Sequence, residues 1–530
     1  MAINLLITAV VIIACIFLNK LSNRLGIPML LAFILLGMFF GSDGVVKIAF
    51  SNYALAEQIC SVALIFIMFY GGFGTKWSEA RPVAVKAVLL SSAGVLLTAA
   101  ITGLFCHFVL GIALLESFLI GAVVSSTDAA SVFSILRSKR LNLKDHTASL
   151  LEVESGSNDP CAYMLTIILL TMMAGEAGGV GYLIFAQLAY SVAIGGALAY
   201  GAGWILKRYR FSADGFDAAF VLAVAILSYA APQAVGGNGY LSAYLVGIYL
   251  GNIEIKNKRA LVHFFDGVTG LMQMLLFFLL GLLAFPSQIP HVLLPAMAIA
   301  LFLTFVARPV AVAAILSPFK SSWRQQMLVS WAGLRGAASI VFAVMATVHP
   351  AAASNDIFHI VFVIVLLSIL FQGSLIPQVA RRLGMIDDSA DVLKTFSDYS
   401  EEVPVQYIQF RIAPEHVWAG KRVADILLPP ETLLVLVRRG EADLVPDGQT
   451  VLAAGDKLVL GAKAPETMAG IALMERQIAP DDAWVGKTIA ELPKHAGTLI
   501  MLIQRADRVV IPQGHTRLEA GDVLVINRVE

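Results

Sequence analysis

Three short segments hold the residues that could do chemistry in an otherwise apolar chain. They read SSTDAAS (Ser125 to Ser131), LEVESGSNDPCAY (Leu151 to Tyr163) and WAGLRGAASI (Trp331 to Ile340). Each combines carboxylates or an arginine with glycine and hydroxyl-bearing residues. A charge at mid-depth in a bilayer costs at least about 2.5–3.5 kcal/mol, so each charged residue here is a candidate functional residue.

The second segment places several polar side chains on neighbouring faces of one predicted helix. Asp159 follows Ser155 by four residues and Glu152 by seven, which puts the three near one stripe. Glu154 and Asn158 form the adjacent pair, also four residues apart. We therefore expect two or three carboxylates and an amide to share one side of this helix.

The first segment is a poor continuous helix. Asp128 follows Thr127 in a run of small and hydroxylated residues, which favours a locally opened backbone. Opened carbonyls, hydroxyls and a carboxylate are the oxygen ligands that a dehydrated hard cation needs. A buried carboxylate can hold either a proton or a metal cation, and competition between them is the minimum chemistry of an exchanger.

The third segment supplies a fixed positive charge. Arg335 lies between Gly333 and Gly336, and its guanidinium stays protonated at any physiological pH. We expect it to pair with Glu154, either as a structural clamp or as a modulator of ion binding.

Other charged residues are less specific. Glu152 lies nearer the predicted cytoplasmic end, where a vestibule role or a structural role is expected. Glu57 lies at the outer end of its span, where we expect it either to line an entry vestibule or to mark the boundary of the span. Asp266 and Arg308 lie close to loops, so we expect them to anchor the membrane interface.

These residues must be positioned by membrane-spanning helices. The chain has 530 residues, of which 58% are hydrophobic and only 14% charged, whereas soluble domains average about 25% charged residues. Apolar runs give thirteen candidate spans before residue 385. The prediction is a transporter in a lipid bilayer and not an enzyme, with no catalytic residues, no divalent-metal site and no nucleic-acid partner.

Basic residues predict the orientation. They cluster in the odd-numbered loops between spans, while the even-numbered loops contain only Lys47. Because cytoplasmic loops are enriched in Lys and Arg, the N-terminus is expected outside and the C-terminal tail in the cytoplasm of a bacterial inner (plasma) membrane.

The tail repeats itself. A shift of 66 residues without a gap places Trp418 on Trp484 and Asp456 on Asp522, within short β-type runs separated by turn residues. We expect two copies of one α+β module. The predicted organisation is a transmembrane domain, a linker and two regulatory modules, at residues 1–384, 385–402, 403–465 and 466–530.

The segments ESGSNDP, SSTDAAS and GLRGAAS, on these spans, resemble the signatures of the monovalent cation/proton antiporter superfamily, in its electroneutral branch of Na+/H+ and K+/H+ exchangers. The resemblance covers residues 1 to about 385. It implies a polytopic α-helical membrane protein, with about 13 helices arranged as two inverted repeats and two crossed discontinuous helices. It also implies a homodimer.

The resemblance further implies roles for the site residues. Asp159 is the alternating carrier of cation and proton, with Asn158 beside it. Asp128, Thr127 and Ser155 are further ligands or supports. Electrogenic relatives carry two adjacent Asp residues, so the Asn-Asp pair of this chain implies one-for-one exchange without net charge movement.

The tail resembles, twice over, the C-terminal subdomain of regulators of K+ conductance. It contains neither GxGxxG after a strand nor a Walker A sequence, so nucleotide binding by those routes is not supported. Its ligand stays open between a small regulatory nucleotide, a direct ion or pH response, and none. Transport itself is expected to need no cofactor.

Two other classes compete with exchange of K+ or Na+ for H+. A K+ channel with a regulatory tail would need a TVGYG-type filter, which the sequence lacks. A sodium-coupled solute symporter would want a roomier pocket lined by aromatic side chains. Oxygen ligands do not separate K+ from Na+, but the resemblance of the tail to potassium systems favours K+.

Overall fold

The computed structural model describes residues 9–18, 29–138, 141–175, 179–209, 215–255, 258–351, 355–387, 405–429, 432–440, 442–463, 472–480, 482–492, 498–505, 508–510 and 512–528. The chain divides into two compact units, Met1–Glu401 and Glu402–Glu530. The first is helical, and the second is built on β-sheets.

The first unit consists of mostly apolar helices. They are α1 (Ala9–Leu18), α2 (Met29–Phe40), α3 (Tyr53–Gly74), α4 (Trp77–Ala80), α5 (Ala84–Phe108), α6 (Leu114–Val123), α7 (Ala129–Ser138), α8 (Thr147–Met173), α9 (Val180–Arg208), α10 (Phe216–Gln233), α11 (Gly239–Asn252), α12 (Lys258–Leu283), α13 (Ile289–Phe319), α14 (Trp323–Trp331), α15 (Ala337–Val348) and α16 (Ile357–Arg382). In the described chain, seven helices are long and apolar enough to cross a membrane: α3, α5, α9, α10, α12, α13 and α16. Each of the thirteen predicted spans contains helix, while the number of crossings stays a prediction.

Two spans are interrupted, and their breaks meet. Residues 124–128 separate α6 from α7, and residues 332–336 separate α14 from α15. The amide of Asp128 donates to the carbonyl of Leu334 over 2.8 Å, which joins one break to the other. Hydroxyl side chains compete with helical hydrogen bonds in the first break, and glycines weaken the helix in the second. The predicted opening at Asp128 is confirmed, and so is the pair of discontinuous helices.

Helix α8 is continuous although it contains Pro160. Proline has no N–H, so the carbonyl of Gly156 loses its helical donor. On the neighbouring turn, the side-chain amide of Asn238 donates to the carbonyl of Pro160 over 2.8 Å. This bond joins the turn that follows the proline to Asn238, the N-cap residue of α11. The stripe predicted from Glu152 to Asp159 therefore lies on one unbroken helix.

Glycines let other helices pack backbone against backbone. A Cβ atom at Gly247 of α11 would lie 2.2 Å from the carbonyl oxygen of Phe69 in α3. A Cβ atom at Gly281 of α12 would lie 2.2 Å from the carbonyl oxygen of Ile34 in α2. Close approach at small residues is the usual way to pack helices in a bilayer, where burial of apolar surface provides no driving force.

Three helices in the described part of the chain contain π-helical segments. These are Leu90–Gly94 in α5, Leu303–Ala307 in α13 and Ser368–Gly373 in α16. Single-turn π segments are frequent at functional sites. The segment in α13 directly precedes Arg308, and the segment in α16 begins at a residue that contacts the second break.

The tail contains two sheets of the same topology. In the first, β1 (Val405–Arg411), β2 (Thr432–Arg439), β3 (Ala442–Leu444) and β4 (Lys457–Lys463) lie in the order β1-β4-β2-β3. In the second, β5 (Ala472–Gln477), β6 (Thr498–Arg505), β7 (Arg508–Val510) and β8 (Val523–Arg528) lie in the order β5-β8-β6-β7. The neighbours are antiparallel. Helix in the described tail is limited to two one-turn segments, Val423–Asp425 and Ile489–Glu491.

The repeat extends to irregular features and to ion pairs. β2 carries a register shift between Leu434 and Leu436, and β6 carries one between Ile500 and Leu502. Each module also contains an arginine fork, in which one guanidinium donates two hydrogen bonds to a buried aspartate. Arg439 donates to Asp456 over 2.8 and 2.9 Å, and Arg505 donates to Asp522 over 2.8 Å in both bonds. The two modules thus share one folding plan.

The arginine forks set the charge state of these aspartates. Hydrogen bonds from Arg439 hold the pKa of the Asp456 carboxyl below its ordinary value. Burial alone would raise the pKa of Asp522, but hydrogen bonds from Arg505 and the backbone amide of Glu519 outweigh burial and lower it. Both carboxylates are therefore ionised at neutral pH.

The end of the helical unit is tied to the loop before α8. Leu143 and Ile386 form an antiparallel β-bridge. The amide of Lys144 donates to the carbonyl of Met385 over 2.9 Å, and the amide of Asp387 donates to that of Asn142 over 3.0 Å. The chain that leads toward the tail is thus bonded to the segment that starts α8.

Candidate functional site

Asp159 lies where α8 passes the first break. Its side chain is only 6% exposed. The hydroxyl of Ser126, within the break, donates a short hydrogen bond to its Oδ1. Among the described residues, no lysine or arginine forms an ion pair with Asp159. The carboxylate is therefore buried and hydrogen-bonded, but its charge is not neutralised by a fixed cation.

Asn158, which precedes Asp159 on α8, carries a buried amide oxygen. Its Nδ2 donates to the hydroxyl of Thr127 over 2.5 Å, which fixes the amide orientation. Its Oδ1 is fully buried and has no hydrogen-bond partner in the described part of the chain. A buried acceptor without a donor is costly. A cation would supply the missing partner, since amide and carboxylate oxygens are suitable ligands for hard cations.

The remaining predicted ligands hold the first break in place. The hydroxyl of Ser155 donates to the carbonyl of Thr127 over 2.8 Å, so α8 supports the opened backbone. Asp128 accepts from the amide of Ser131 at 3.2 Å and from its hydroxyl at 2.5 Å, which is the geometry of a helix N-cap at α7. A Cβ atom at Gly336 would lie 2.4 Å from the Cβ of Asp128, so only glycine fits there.

The structure corrects the predicted pairing of Glu154 with Arg335. Glu154 is 1% exposed and forms an ion pair with Arg308, whose Nη2 lies 2.5 Å from its Oε1. Arg308 is itself 2% exposed, so the expectation that it anchors the membrane interface is also wrong. It directly follows the π segment of α13, and its side chain reaches Glu154 inside the helical unit. Sequence spacing could not show this, because it depends on how α13 packs against α8.

Arg335 instead holds the backbone of the first break. Its Nη1 donates to the carbonyls of Ser125 and Ser126, at 2.8 Å each. The guanidinium is 2% exposed. Because Ser126 also donates to Asp159, Arg335 acts on the carboxylate through the intervening turn and makes no ion pair with it. A fixed positive charge next to an opened turn also favours an anionic group nearby.

The other sequence candidates lie away from these contacts. Glu152 is half-buried on α8, two turns before Asp159. Glu57 is half-buried on α3 and accepts from Ser61 over 3.3 Å. Asp266 is exposed on α12 and accepts from Tyr70 over 3.3 Å. Among the described residues, no three or more His, Cys, Asp or Glu side chains form a group that could hold a metal ion.

Comparison with known proteins agrees with this architecture. Residues 8–382 match the sodium/hydrogen exchanger transmembrane family. The chain belongs to the sodium/hydrogen exchanger family. Residues 407–467 and 473–526 each match the TrkA-C domain, which confirms the two tail modules as relatives of the C-terminal subdomain of K+ conductance regulators.

Similar proteins cover between 64% and 98% of this exchanger-family chain. The K(+)/H(+) antiporter NhaP of Alkalimonas amylolytica is 34% identical over 557 residues, covering 98% of this chain and 96% of that protein. The K(+)/H(+) antiporter NhaP2 of Shewanella baltica is 36% identical over 465 residues, covering 86% and 80%. The Na(+)/H(+) antiporter ApNhaP of Aphanothece halophytica is 25% identical over 358 residues, covering 64% and 67%.

A solved structure supports the exchanger fold. The sodium proton antiporter MjNhaP1 from Methanocaldococcus jannaschii superimposes with a TM-score of 0.64, covering 72% of this chain and 99% of that one at 24% sequence identity. The predicted fold class is thereby confirmed. Neither the channel alternative nor the symporter alternative receives support from these comparisons.

Sequence reasoning missed two residues of this exchanger site. Ser126 stands within SSTDAAS, but its contact with Asp159 depends on non-helical backbone, where helical periodicity does not apply. Arg308 had a usable signal, since an arginine followed by proline within an apolar run requires a buried partner.

Proposed function

We propose that this protein exchanges a monovalent cation, K+ in preference to Na+, for H+ by alternating access, with both ions competing at Asp159. The observation that carries the proposal is a buried carboxylate that forms no ion pair with a lysine or arginine of the described residues. It follows Asn158, whose Oδ1 has no hydrogen-bond partner in the same part of the chain. A carboxylate in that position can be neutralised by a proton or by a cation. It need not be neutralised permanently by the protein.

The chain's own residues perform separate tasks in this mechanism. Asp159 carries the proton or the cation, and the Oδ1 of Asn158 faces the cation. Thr127 orients the Asn158 amide, while Ser155 holds Thr127 in turn. Asp128 caps α7 and keeps the break open. Discontinuous helices that meet at the site provide backbone groups for a dehydrated ion and let the site reorganise between its two sides.

One exchanging carboxylate supports electroneutral one-for-one exchange. Glu154 is committed to Arg308, and the position before Asp159 is an asparagine. Loading with one K+ and loading with one H+ then give the site the same net charge. Exchange in sealed vesicles with matched ion gradients should therefore not respond to an imposed membrane potential. A rate that changed with potential would contradict one-for-one stoichiometry.

The preference for K+ is supported by relatives and not by the ligands. Two similar proteins that cover most of the chain are named K+/H+ antiporters. K+ and Na+ both bind oxygen atoms, and the choice between them depends on cavity size. The family also includes proteins named for Na+. We therefore propose Na+ as a second, weaker substrate.

We further propose that the tail regulates transport. The β-bridge between Leu143 and Ile386 ties the outgoing chain to the loop that starts α8, so a pull on that chain reaches the helix of Asp159. Replacing Asp387 with proline removes the N–H that donates to Asn142. Asp387→Pro should change the transport rate in the same way as deletion of the tail, and it should have no further effect in a chain that lacks the tail. If the two changes had different effects, the tail would not act through this bridge. A nucleotide at the tail stays a proposal, and transport itself needs no cofactor in this scheme.

The setting follows from the same reasoning. We place the protein in the plasma membrane of a bacterium as a homodimer, with the N-terminus outside and the tail in the cytoplasm. The orientation rests on the Lys and Arg bias of the loops. Cysteine accessibility at Lys47 from the outside, and in the tail from the inside, tests it.

The experiment that tests the proposed function uses reconstituted vesicles. Proton movement is recorded on addition of K+, Na+ or Li+ across pH, for the wild type, Asp159→Asn and Asp266→Asn. The wild type and the control at the exposed Asp266 should exchange K+ for H+, and Asp159→Asn should not. Normal exchange by Asp159→Asn would show that the site is elsewhere.

A further inference from the structure

Helix α16 clamps both ends of the break between α14 and α15. At the first end, the indole N–H of Trp331 donates to the carbonyl of Gln372 over 3.2 Å, and the Gln372 amide donates to the carbonyl of Trp331 over 3.3 Å. At the other end, the amide of Arg335 donates to the hydroxyl of Ser368 over 3.0 Å. Ser368 in turn donates to Oε1 of Gln372 over 2.7 Å.

The two side chains act as one unit. Ser368 is 5% exposed and Gln372 is 7% exposed, so water does not offer their hydrogen bonds an easy substitute. Both lie in the π segment Ser368–Gly373. A Cβ atom at Gly373 would lie 3.2 Å from the Cδ1 of Ile135 in α7 and 3.6 Å from the Cδ1 of Leu334. The π segment is therefore in close contact with both broken spans.

A continuous line of hydrogen bonds leads from this unit to the carboxylate. Ser368 receives the amide of Arg335, and the guanidinium of Arg335 donates to the carbonyls of Ser125 and Ser126 at 2.8 Å. The hydroxyl of Ser126 then donates to Asp159. A change in the position of the Arg335 backbone would move the turn that presents this hydroxyl.

We propose that Ser368 and Gln372 are positioning residues of the ion site, which fix Arg335 and through it the Ser126 turn that sets how Asp159 holds its ion. This inference rests on the proposed function. The inference goes beyond the proposed function because it assigns a role in ion affinity to α16, which supplies none of the proposed ligands. Loss of the Ser368 hydroxyl or of the Gln372 amide should change cation binding and the pH dependence of exchange more than it changes the amount of folded protein.

The test compares four variants in K+/H+ exchange. Ser368→Ala removes the acceptor of the Arg335 amide, whereas Ser368→Thr keeps a hydroxyl. Gln372→Met keeps the length of the side chain without its amide. The matched control is Ser330→Ala, because Ser330 is also buried but its hydroxyl donates only to its own helix, at the carbonyl of Gln326 over 2.7 Å.

The measured quantities are the apparent KM for K+, its pH profile, the maximal rate and the yield of folded protein. Because a hydrogen bond contributes about 1 kcal/mol, Ser368→Ala and Gln372→Met should raise the apparent KM about fivefold and displace the pH profile. Their maximal rates should stay within about twofold of the wild type. Ser368→Thr and Ser330→Ala should resemble the wild type in all four quantities.

Three results would overturn the proposal. Ser368→Ala and Gln372→Met could both retain the wild-type KM and pH profile. They could lower only the yield, with normal KM in the protein that remains. Both could fail to fold, which would make the unit a structural one. In each case the proposed function stands as long as the wild type exchanges K+ for H+ and Asp159→Asn does not, so the two failures are distinguishable.

Discussion

Helix α8 carries two buried carboxylates in contrasting surroundings. Glu154 is 1% exposed and pairs with Arg308 at 2.5 Å, while Asp159 is 6% exposed and receives a hydroxyl donor. Burial alone does not separate them. The partner does, because a carboxylate bound to a permanent cation has its charge compensated at all times. A carboxylate that meets only neutral groups must take its compensation from an ion that comes and goes.

This contrast predicts opposite consequences for the two sites. At Asp159, loss of the charge should abolish exchange and leave the fold intact, since no buried cation loses its partner. Asp159→Asn should therefore reduce K+/H+ exchange to background while its thermal stability in detergent equals or exceeds that of the wild type. A variant that transported normally would show that Asp159 does not carry the ion, and one that unfolded would show that the fold needs its carboxylate.

At Glu154 the first effect should be on stability. Glu154→Gln leaves the Arg308 guanidinium buried without a counter-charge, which costs about 3–5 kcal/mol. We expect a large fall in melting temperature and in yield. The double variant Glu154→Leu with Arg308→Met removes both charges and should regain most of the stability. If Glu154→Gln were as stable as the wild type, the ion pair would not be a structural clamp.

The donor to Asp159 gives a smaller and purely functional effect. Ser126→Ala removes the one hydroxyl seen on its Oδ1, and a hydrogen bond to a charged group contributes about 1.5–3 kcal/mol. The ionised form of Asp159 becomes less favourable, so half-maximal exchange should require roughly ten- to a hundredfold more K+ at a given pH. Ser157→Ala is a suitable control, because that hydroxyl donates to the backbone of its own helix at Val153 over 2.5 Å. If the K+ concentration for half-maximal exchange did not change, Ser126 would not be part of the ion site.

The tail shows what an arginine partner contributes when it is half exposed. Arg439 is 47% exposed, so solvent screens its pair with Asp456, and we expect no more than about 1 kcal/mol. Because the pKa of Asp456 is lowered in the folded tail, this stability is present above the unfolded value near 3.9 and is lost as pH falls below it. An acid-active protease should therefore cut the tail faster below about pH 4. Asp456→Asn has no carboxyl to titrate at this position, so the contribution of this pair to the acid sensitivity should be absent from that variant.

Much of the exchanger architecture follows from the sequence, because its determinants are local. Hydrophobic runs locate the helices, the hydroxyl-rich run around Asp128 locates one break, and the 66-residue shift between Asp456 and Asp522 locates the tail modules. Partners across helices are not local. Glu154 has two arginines available, and only the π segment before Arg308 and the packing of α13 decide between them.

If K+ and H+ compete for one carboxylate, as we propose, binding of K+ must release a proton, and this release can be measured directly. K+ is added to the purified full-length protein in weakly buffered detergent solution, and the pH change is recorded beside Asp159→Asn and Asp266→Asn. At acidic pH the wild type and Asp266→Asn should release close to one proton for each K+ bound, while Asp159→Asn should release none. Saturable K+ binding by the wild type without proton release would contradict competition between the two ions at Asp159.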